Sequence, residues 1–320
     1  MISIGDYVVR KSYNRDILFK VTAINDKGVA RIKGVSYRII ADAPIEDLEL
    51  AGGMRFTNQE NSVMEQIDDN VKKILMEQEL QSMGAPMLRK TGKVLHIDGD
   101  AFYLNLCMKY YEILNVNAVG ENVSESQQPK KVKELIERHK PDILVLTGHD
   151  SLNKNYSNLQ NTNEYRNSKF YISAVTEARS IRPTSEQLVI YAGACQSNFE
   201  AILSAGADYA SSPNRVLIHA LDPPFIVERI AHCPFHTILS IEEALRYTIT
   251  KFKGLGGFEI VGRARKGGPV VSSNDTSILQ EEGEDINIDK LTNEEIDKEL
   301  KKPIFSDGLR NYLGNSMPFI

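Results

Sequence analysis

Two apolar runs constrain this chain more than any other feature: Asp142-Ile-Leu-Val-Leu-Thr-Gly-His149 and Gln187-Leu-Val-Ile-Tyr-Ala-Gly-Ala-Cys195. Both are short, rich in Val, Ile and Leu, and show no polar/apolar alternation. That pattern fits strands buried on both faces, as in a parallel sheet flanked by helices. Open parallel sheets carry their chemistry just beyond the carboxyl ends of the strands. The two runs therefore bring an imidazole and a thiol to one edge, the pairing a cysteine nucleophile and its base require. A buried Cys is ordinarily a packing residue. Cys195 differs in lying after the apolar run, between Gly193 and the polar pair Gln196-Ser197.

The spacing adds to this. His149 precedes Cys195 by 46 residues, room for one loop, one helix and one strand. Caspase-type peptidases place their His roughly 50 residues before the Cys. A thiol close to a helix N-terminus is biased toward thiolate by the helix dipole, and the helix expected over Asn198–Ala205 predicts that bias for Cys195. The N–H of Cys195, with one from the His149 loop, would hold an oxyanion. Asp98, Asp100 and Asp150 fall on the same rim. They are candidates for substrate contacts, an acidic S1 pocket for a basic side chain. Asp100 is equally suited to cap a helix. His219 follows a further apolar run, Val216–Ala220, and is the alternative base. His96, inside a strand, reads as a core residue.

Around this edge the chain divides into four parts. Residues 1–50 alternate in β fashion at Asp6–Arg10, Ile17–Ile24, Gly28–Lys33 and Tyr37–Ala41, with turns at Asn25–Gly28 and Lys33–Gly34. They predict a small SH3-like β-barrel, a type that serves for docking or purely for structure. Residues 51–91 form a polar linker with a helix from Asn61 to Met83, apolar at Val63, Ile67, Val71, Ile74 and Leu75, followed by a basic step at Leu88-Arg89-Lys90. Residues 92–265 alternate strand and helix, which predicts a doubly wound, mostly parallel sheet with right-handed crossovers; if its order is 2-1-3-4, the first strand lies beside the His149 strand. Its helices are expected at Phe102–Leu114, Lys130–His139, Tyr165–Ile181, 223–231 and 240–251, its second strand at Val116–Val119 and its last at Val216–Ala220. Residues 266–320 predict an acidic, mostly flexible tail.

Composition excludes several classes. The net charge is −5, and residues 271–320 alone carry 11 Asp/Glu against 5 Lys/Arg. No basic stripe points to nucleic acid. No apolar run reaches the length of a membrane span. The N-terminus lacks the basic-then-apolar pattern of a secretory signal, so a cytoplasmic, reducing setting is expected for the three Cys. No Cys pair has zinc-ligand spacing, and Gly254-Leu-Gly-Gly257 lacks the Lys-Ser/Thr and the following helix of a phosphate loop. No metal or cofactor is expected.

The residues resemble the YabG family of sporulation-specific cysteine proteases over about residues 1–265. The resemblance rests on Ile4-Gly-Asp-Tyr-Val-Val-Arg-Lys-Ser-Tyr13, Gly92-Lys-Val-Leu-His-Ile-Asp-Gly-Asp100, Pro141–Asp150, Ala192-Gly-Ala-Cys-Gln-Ser197, Ala210-Ser-Ser-Pro-Asn-Arg215, Ile218-His-Ala-Leu-Asp-Pro223 and Lys253–Gly257. It implies an endopeptidase acting on spore coat and related precursor proteins in the mother cell or at the coat, with the catalytic pair falling on Cys195 and His149. It also implies cleavage next to basic residues, Arg especially, and self-processing. The linker arginines Arg55 and Arg89 predict fragments beginning near Gln59 or Lys90. The wider resemblance to caspase- and clostripain-like peptidases is looser, because this chain has Gly148-His149-Asp150 where that clan has His-Gly. Two other readings stay open: an amidotransferase-like hydrolase using His219, and a coat-assembly scaffold without catalysis.

Overall fold

The computed structural model describes residues 1–51, 58–82 and 88–267. They fall into two units, one of residues 1–63 and 91–264, the other of residues 64–90 and 265–267. The acidic tail expected beyond 266 lies, from residue 268 on, outside the described residues.

The first unit begins with five strands: β1 (Tyr7–Arg10), β2 (Phe19–Ile24), β3 (Val29–Gly34), β4 (Ile40–Pro44) and β5 (Leu48–Leu50). They form an antiparallel sheet in the order β4-β3-β2-β1-β5. Alternation sends Val8, Phe19, Val21, Ala30, Ile32 and Ala43 into one shared core, as period-two patterning requires. The Asn25–Gly28 turn is closed by the Asn25 side chain, which accepts from the N–H groups of Lys27 and Val29 at 3.0 Å each.

This sheet departs from expectation in two places. A fifth strand, β5, was not legible as one. The strand expected over Tyr37–Ala41 begins only at Ile40. Residues 35–39 leave the sheet as a strap, and the reason is visible in their main-chain bonds. The Tyr103 hydroxyl donates to the carbonyls of Gly34 (2.6 Å) and Tyr37 (2.8 Å). The Ala220 N–H donates to Ser36 O at 2.8 Å. These partners belong to the α/β part of the same unit and hold residues 36 and 37, while Ile39 keeps a bond to β3 through its carbonyl.

Next in the chain come α1 (Asn58–Ser82) and β6 (Leu88–Lys90). In the second unit β6 pairs antiparallel with Arg265–Gly267, and Arg89 donates to Gln78 O and to Gln81 Oε1. The basic step at 88–90 is thus a strand.

The α/β part runs β7 (Val94–Asp98), α2 (Ala101–Ile113), β8 (Ala118–Asn122), α3 (Gln128–His139), β9 (Ile143–Thr147), α4 (Ser168–Ile181), β10 (Val189–Ala192), α5 (Phe199–Ser204), β11 (Tyr209–Ser211) and α6 (Asp222–His232). Short elements close it: β12 (Ile238–Leu239), α7 (Ile241–Ala244), α8 (Lys251–Gly254), β13 (Leu255–Gly257) and β14 (Ile260–Val261). The main sheet has the order β8-β7-β9-β10-β11-β13. Its first five strands are parallel and β13 is antiparallel to β11. The first four strands thus stand in the order 2-1-3-4, which sets β7 beside β9, with the switch point between them.

Both faces are covered. Leu95, Ile97, Leu144, Leu146 and Ile190 pack against Val132, Leu135 and Ile136 of α3 and Tyr171, Ala174 and Ala178 of α4. Each such side chain contributes about 1.5–3 kcal/mol by burial. His96 points the other way and meets Tyr111 of α2, so it is the core histidine its position suggested.

Three expectations are corrected here. Val216–Ala220 is not a strand of the sheet. It crosses the carboxyl ends of the strands as an extended segment, bonding to the Cys195 loop and bridging to Tyr37, while β11 takes the sheet position. The helix expected over 240–251 is broken into α7 and α8, because the buried Asp222 carboxylate draws in the N–H groups of Ile249 and Thr250. The second strand begins at Ala118 and not at Val116, and α4 begins at Ser168 and not at Tyr165, whose main chain is taken by a bridge to Leu152.

Candidate active site

β9 ends at Thr147, and Gly148 (φ +154°) turns the chain toward the rim. A Cβ at Gly148 would lie 2.3 Å from Glu125 Oε1. That carboxylate accepts the His149 N–H at 2.7 Å, so glycine is required for Glu125 to hold the His149 loop. The same bond commits the His149 N–H, which is therefore not available to an oxyanion.

The His149 ring has two polar partners. Its Nε2 is 2.8 Å from Asp100 Oδ2, and its Nδ1 is 3.3 Å from the Arg38 carbonyl. Both partners are acceptors, so the ring satisfies them together only when it carries both protons. The Tyr103 ring stands edge-on to it at 5.7 Å. Asp100 also caps α2 by accepting the Phe102 N–H at 2.9 Å and takes Lys33 Nζ at 2.6 Å. Burial would raise its carboxyl, but the bonds from His149 and Lys33 outweigh that and hold it down at about 2.

Cys195 follows β10 after a turn at Gly193 (φ +111°). Its buried Sγ receives the Ile218 N–H at 3.2 Å. Gln196, Ser197 and the cap Asn198 separate it from α5, so the expected dipole bias does not reach it. Burial pushes the thiol up to about 11, against the pull of the Ile218 N–H, the Arg38 charge and the Arg38 N–H. Cys195 is a neutral thiol here.

Arg38 thus touches both groups, with its N–H toward Cys195 and its carbonyl toward His149. The residue is 2% exposed. Nη1 lies 2.5 Å from Asp98 Oδ2 and Nη2 lies 3.4 Å from Cys107 Sγ. Asp98 is fully buried and also accepts from Thr147 Oγ1 (2.7 Å) and the Asp100 N–H (2.8 Å). Burial alone would raise its carboxyl. The guanidinium and the hydrogen bonds overcome this and hold it well below the ordinary carboxylate range. Arg38 is the residue that sequence reasoning missed. It sits at an outward position of an apparent edge strand, like Arg31, and nothing local marks it.

Asp150 is placed differently from the other two carboxylates. Its oxygens accept from the N–H groups of Ser151 and Asn167 and from the hydroxyls of Ser168 (2.5 Å) and Ser197 (2.9 Å). It ties the His149 loop to α4 and to the Cys195 loop. His219 is buried, and its Nδ1 accepts the Leu221 N–H at 3.2 Å. Its Nε2 has no partner among the described residues. Burial and the Arg38 charge lower it to about 3. Among the described residues, no hydrogen bond joins it to Cys195, no three His, Cys, Asp or Glu residues form a metal-holding group, and no helix is long and apolar enough to cross a membrane.

Comparison with known sequences places the chain among peptidases: a family model described as YabG peptidase U57 matches residues 3–269. The sporulation-specific protease YabG of Bacillus subtilis (strain 168) is 38% identical over 286 residues, covering 84% of this chain and 99% of that protein. The chain belongs to the YabG peptidase family.

Proposed function

We propose that this chain is a cysteine endopeptidase of sporulation that cuts coat and related precursor proteins next to Arg, in the mother cell or at the coat. In this reading the catalytic unit is residues 92–265, of caspase-like type. The SH3-like barrel (1–50), the helical connector (51–91) and the acidic tail (266–320) are attached to it. Cys195 is the nucleophile and His149 the base. Asp100 holds the imidazole by Nε2, which leaves Nδ1 to work. Asp98 receives the guanidinium of the substrate, and Asp150 fixes the loops that carry the pair.

The observation that carries the reading is that a single residue, Arg38, contacts the thiol, the imidazole and the buried carboxylate together. The gap between Cys195 and His149 therefore suits a peptide, and the space beside it suits an arginine, whose fork matches a carboxylate. In the reaction the Sγ proton passes to Nδ1 and sulfur adds to the scissile carbonyl carbon. The C–N bond then breaks as the imidazolium returns the proton to the leaving amine, and water hydrolyses the thioester. Self-processing belongs to the same proposal. Of the linker arginines expected as its sites, Arg55 lies outside the described residues, and Arg89 stands in β6.

Fluorogenic peptides with Arg at P1 test it. Cys195→Ala abolishes turnover with the fold intact by circular dichroism. His149→Ala lowers the rate by about 10²–10⁴-fold, the usual worth of general-base assistance, and His219→Gln changes it far less. Undiminished turnover in Cys195→Ala sinks the reading, and the reverse ranking of the two histidines moves the base to His219.

A further inference from the structure

The residue filling the Asp98 pocket belongs to the chain itself. Resting on the protease reading above, we propose that the strap of residues 35–39 is a built-in pseudosubstrate: Arg38 occupies the site of a substrate arginine, and the enzyme acts on other proteins only when the strap lifts out.

The pocket around Arg38 has the makings of an arginine site. It offers a buried carboxylate at 2.5 Å, the Tyr103 ring face with Cζ 5.0 Å from its centre, and the Cys107 sulfur. A cation over a desolvated aromatic face adds to the carboxylate's attraction. The main chain docks as an incoming peptide would. Tyr37 bridges antiparallel to His219, and the Ala220 N–H donates to Ser36 O at 2.8 Å. Extended peptides bind by adding to an exposed strand-like edge in this way.

The conformation at Arg38 is nevertheless wrong for cleavage. The Ile39 N–H turns back onto Tyr37 O at 2.8 Å, a three-residue turn centred on Arg38. The nitrogen that would leave is therefore tied to the strap's own carbonyl, and the Arg38 carbonyl faces His149 Nδ1, which must deliver a proton to the leaving nitrogen. The Gly34 N–H closes the base of the loop on Ile39 O at 2.8 Å, and Tyr103 clamps the same loop through Gly34 O and Tyr37 O. A loop preorganised at both ends binds without the ordering cost of a free peptide. The strap is also imperfectly complemented. Arg38 Nε and the neighbouring His219 Nε2 are buried without partners among the described residues, and each such atom costs stability. Closure is thus strong enough to fill the site and incomplete enough to be displaced.

Two measurements on the full chain decide it. In the first, Arg38→Gln is assayed on an Arg-P1 peptide. A strap closed 90–99% of the time weakens apparent affinity by about 10- to 100-fold, so kcat/KM rises by that factor, mainly through KM. In the second, Cys195→Ala with its native strap is saturated with the uncut Arg peptide, and amide exchange is followed. Exchange at Ile39, whose N–H is held by Tyr37 O, rises, and a Leu-for-Arg peptide leaves it unchanged. The second measurement decides where Arg38→Gln fails to fold. An Arg38→Gln chain that folds without gain in kcat/KM, or a bound Arg peptide that leaves strap exchange unchanged, overturns the proposal while the protease reading stands. A new N-terminus at Ile39 in wild-type preparations also overturns it, since the strap would then be a substrate. Failure of wild type and Arg38→Gln alike to cut any Arg peptide sinks the protease reading and the strap with it.

Discussion

Arg38 of the strap between β3 and β4 and Asp98 at the end of β7 form an ion pair closed to water, Nη1 to Oδ2 2.5 Å, with side chains 1% and 0% exposed. Removing one member of such a pair leaves a buried charge uncompensated, at about 3–5 kcal/mol. Arg38→Met and Asp98→Leu are each expected to lower unfolding free energy by that amount, and the double variant to regain most of it. Urea denaturation of the four chains gives the coupling directly. Additive losses would show that the pair contributes nothing beyond its separate parts.

The Cys195 thiol, raised by burial to about 11 from an ordinary 9.0, should resist alkylation. Only thiolate reacts, and at pH 8 its fraction is on the order of 10⁻³ by the same acid–base relation. Labelling by iodoacetamide, read by mass spectrometry, should be slow at pH 8 and climb with pH. Because the folded chain keeps this proton longer than the unfolded one, stability is expected to fall as pH rises through 9.0 toward about 11, and Cys195→Ser should remove that loss. Rapid labelling at neutral pH would contradict a thiol held neutral.

Asp100→Asn separates two roles of one side chain. Asparagine also caps helices, so α2 should survive. The charge facing His149 and Lys33 is lost. The expected result is a fall in kcat of up to about 10²–10⁴-fold with KM little changed. The depressed carboxyl, about 2 against 3.8, contributes stability that is complete above 3.8 and lost as pH falls toward 2. The acid denaturation curves of wild type and variant should converge within that window. A loss confined to KM would make Asp100 a substrate contact.

Gly148→Ala places a methyl 2.3 Å from Glu125 Oε1. Either Glu125 moves or the His149 loop does, and buried polar disruptions of this kind cost about 1–3 kcal/mol. A lower melting temperature and a reduced kcat are expected together. Glu125→Ala in the same background should recover stability but not kcat. Unaltered kinetics in Gly148→Ala would show that Glu125 does not position His149.

The strands of the sheet could be read from residues because buried parallel strands have an unmistakable composition, while their order, and with it the switch point, is set by tertiary pairing. Asp100 as a cap was equally legible, since capping is local. Three things were not. Val216–Ala220 has the composition of a strand but spends its hydrogen bonds on the Cys195 loop and the strap, a choice made by tertiary contact. Tyr37–Ala41 alternates like a strand, and only the Tyr103 hydroxyl and the Ala220 N–H pull its first half out. The neutral state of Cys195 depends on burial outweighing the pull of the Ile218 N–H and of Arg38, the latter 157 residues away in the chain, a balance no local pattern encodes.

The buried pair also has an order in time. Arg38 and Asp98 are 60 residues apart, which a ribosome covers in about 3–12 s at about 5–20 residues per second. Small β domains fold in milliseconds to seconds, so the five N-terminal strands have time to pair before the carboxylate of Asp98 leaves the tunnel. Its counterion, Arg38, has therefore already been made when β7 pairs with its neighbours. A nascent α/β half therefore has a partner for Asp98 at hand, and translation from the N-terminus supplies the charge balance that a chain lacking residues 1–50 would have to find elsewhere.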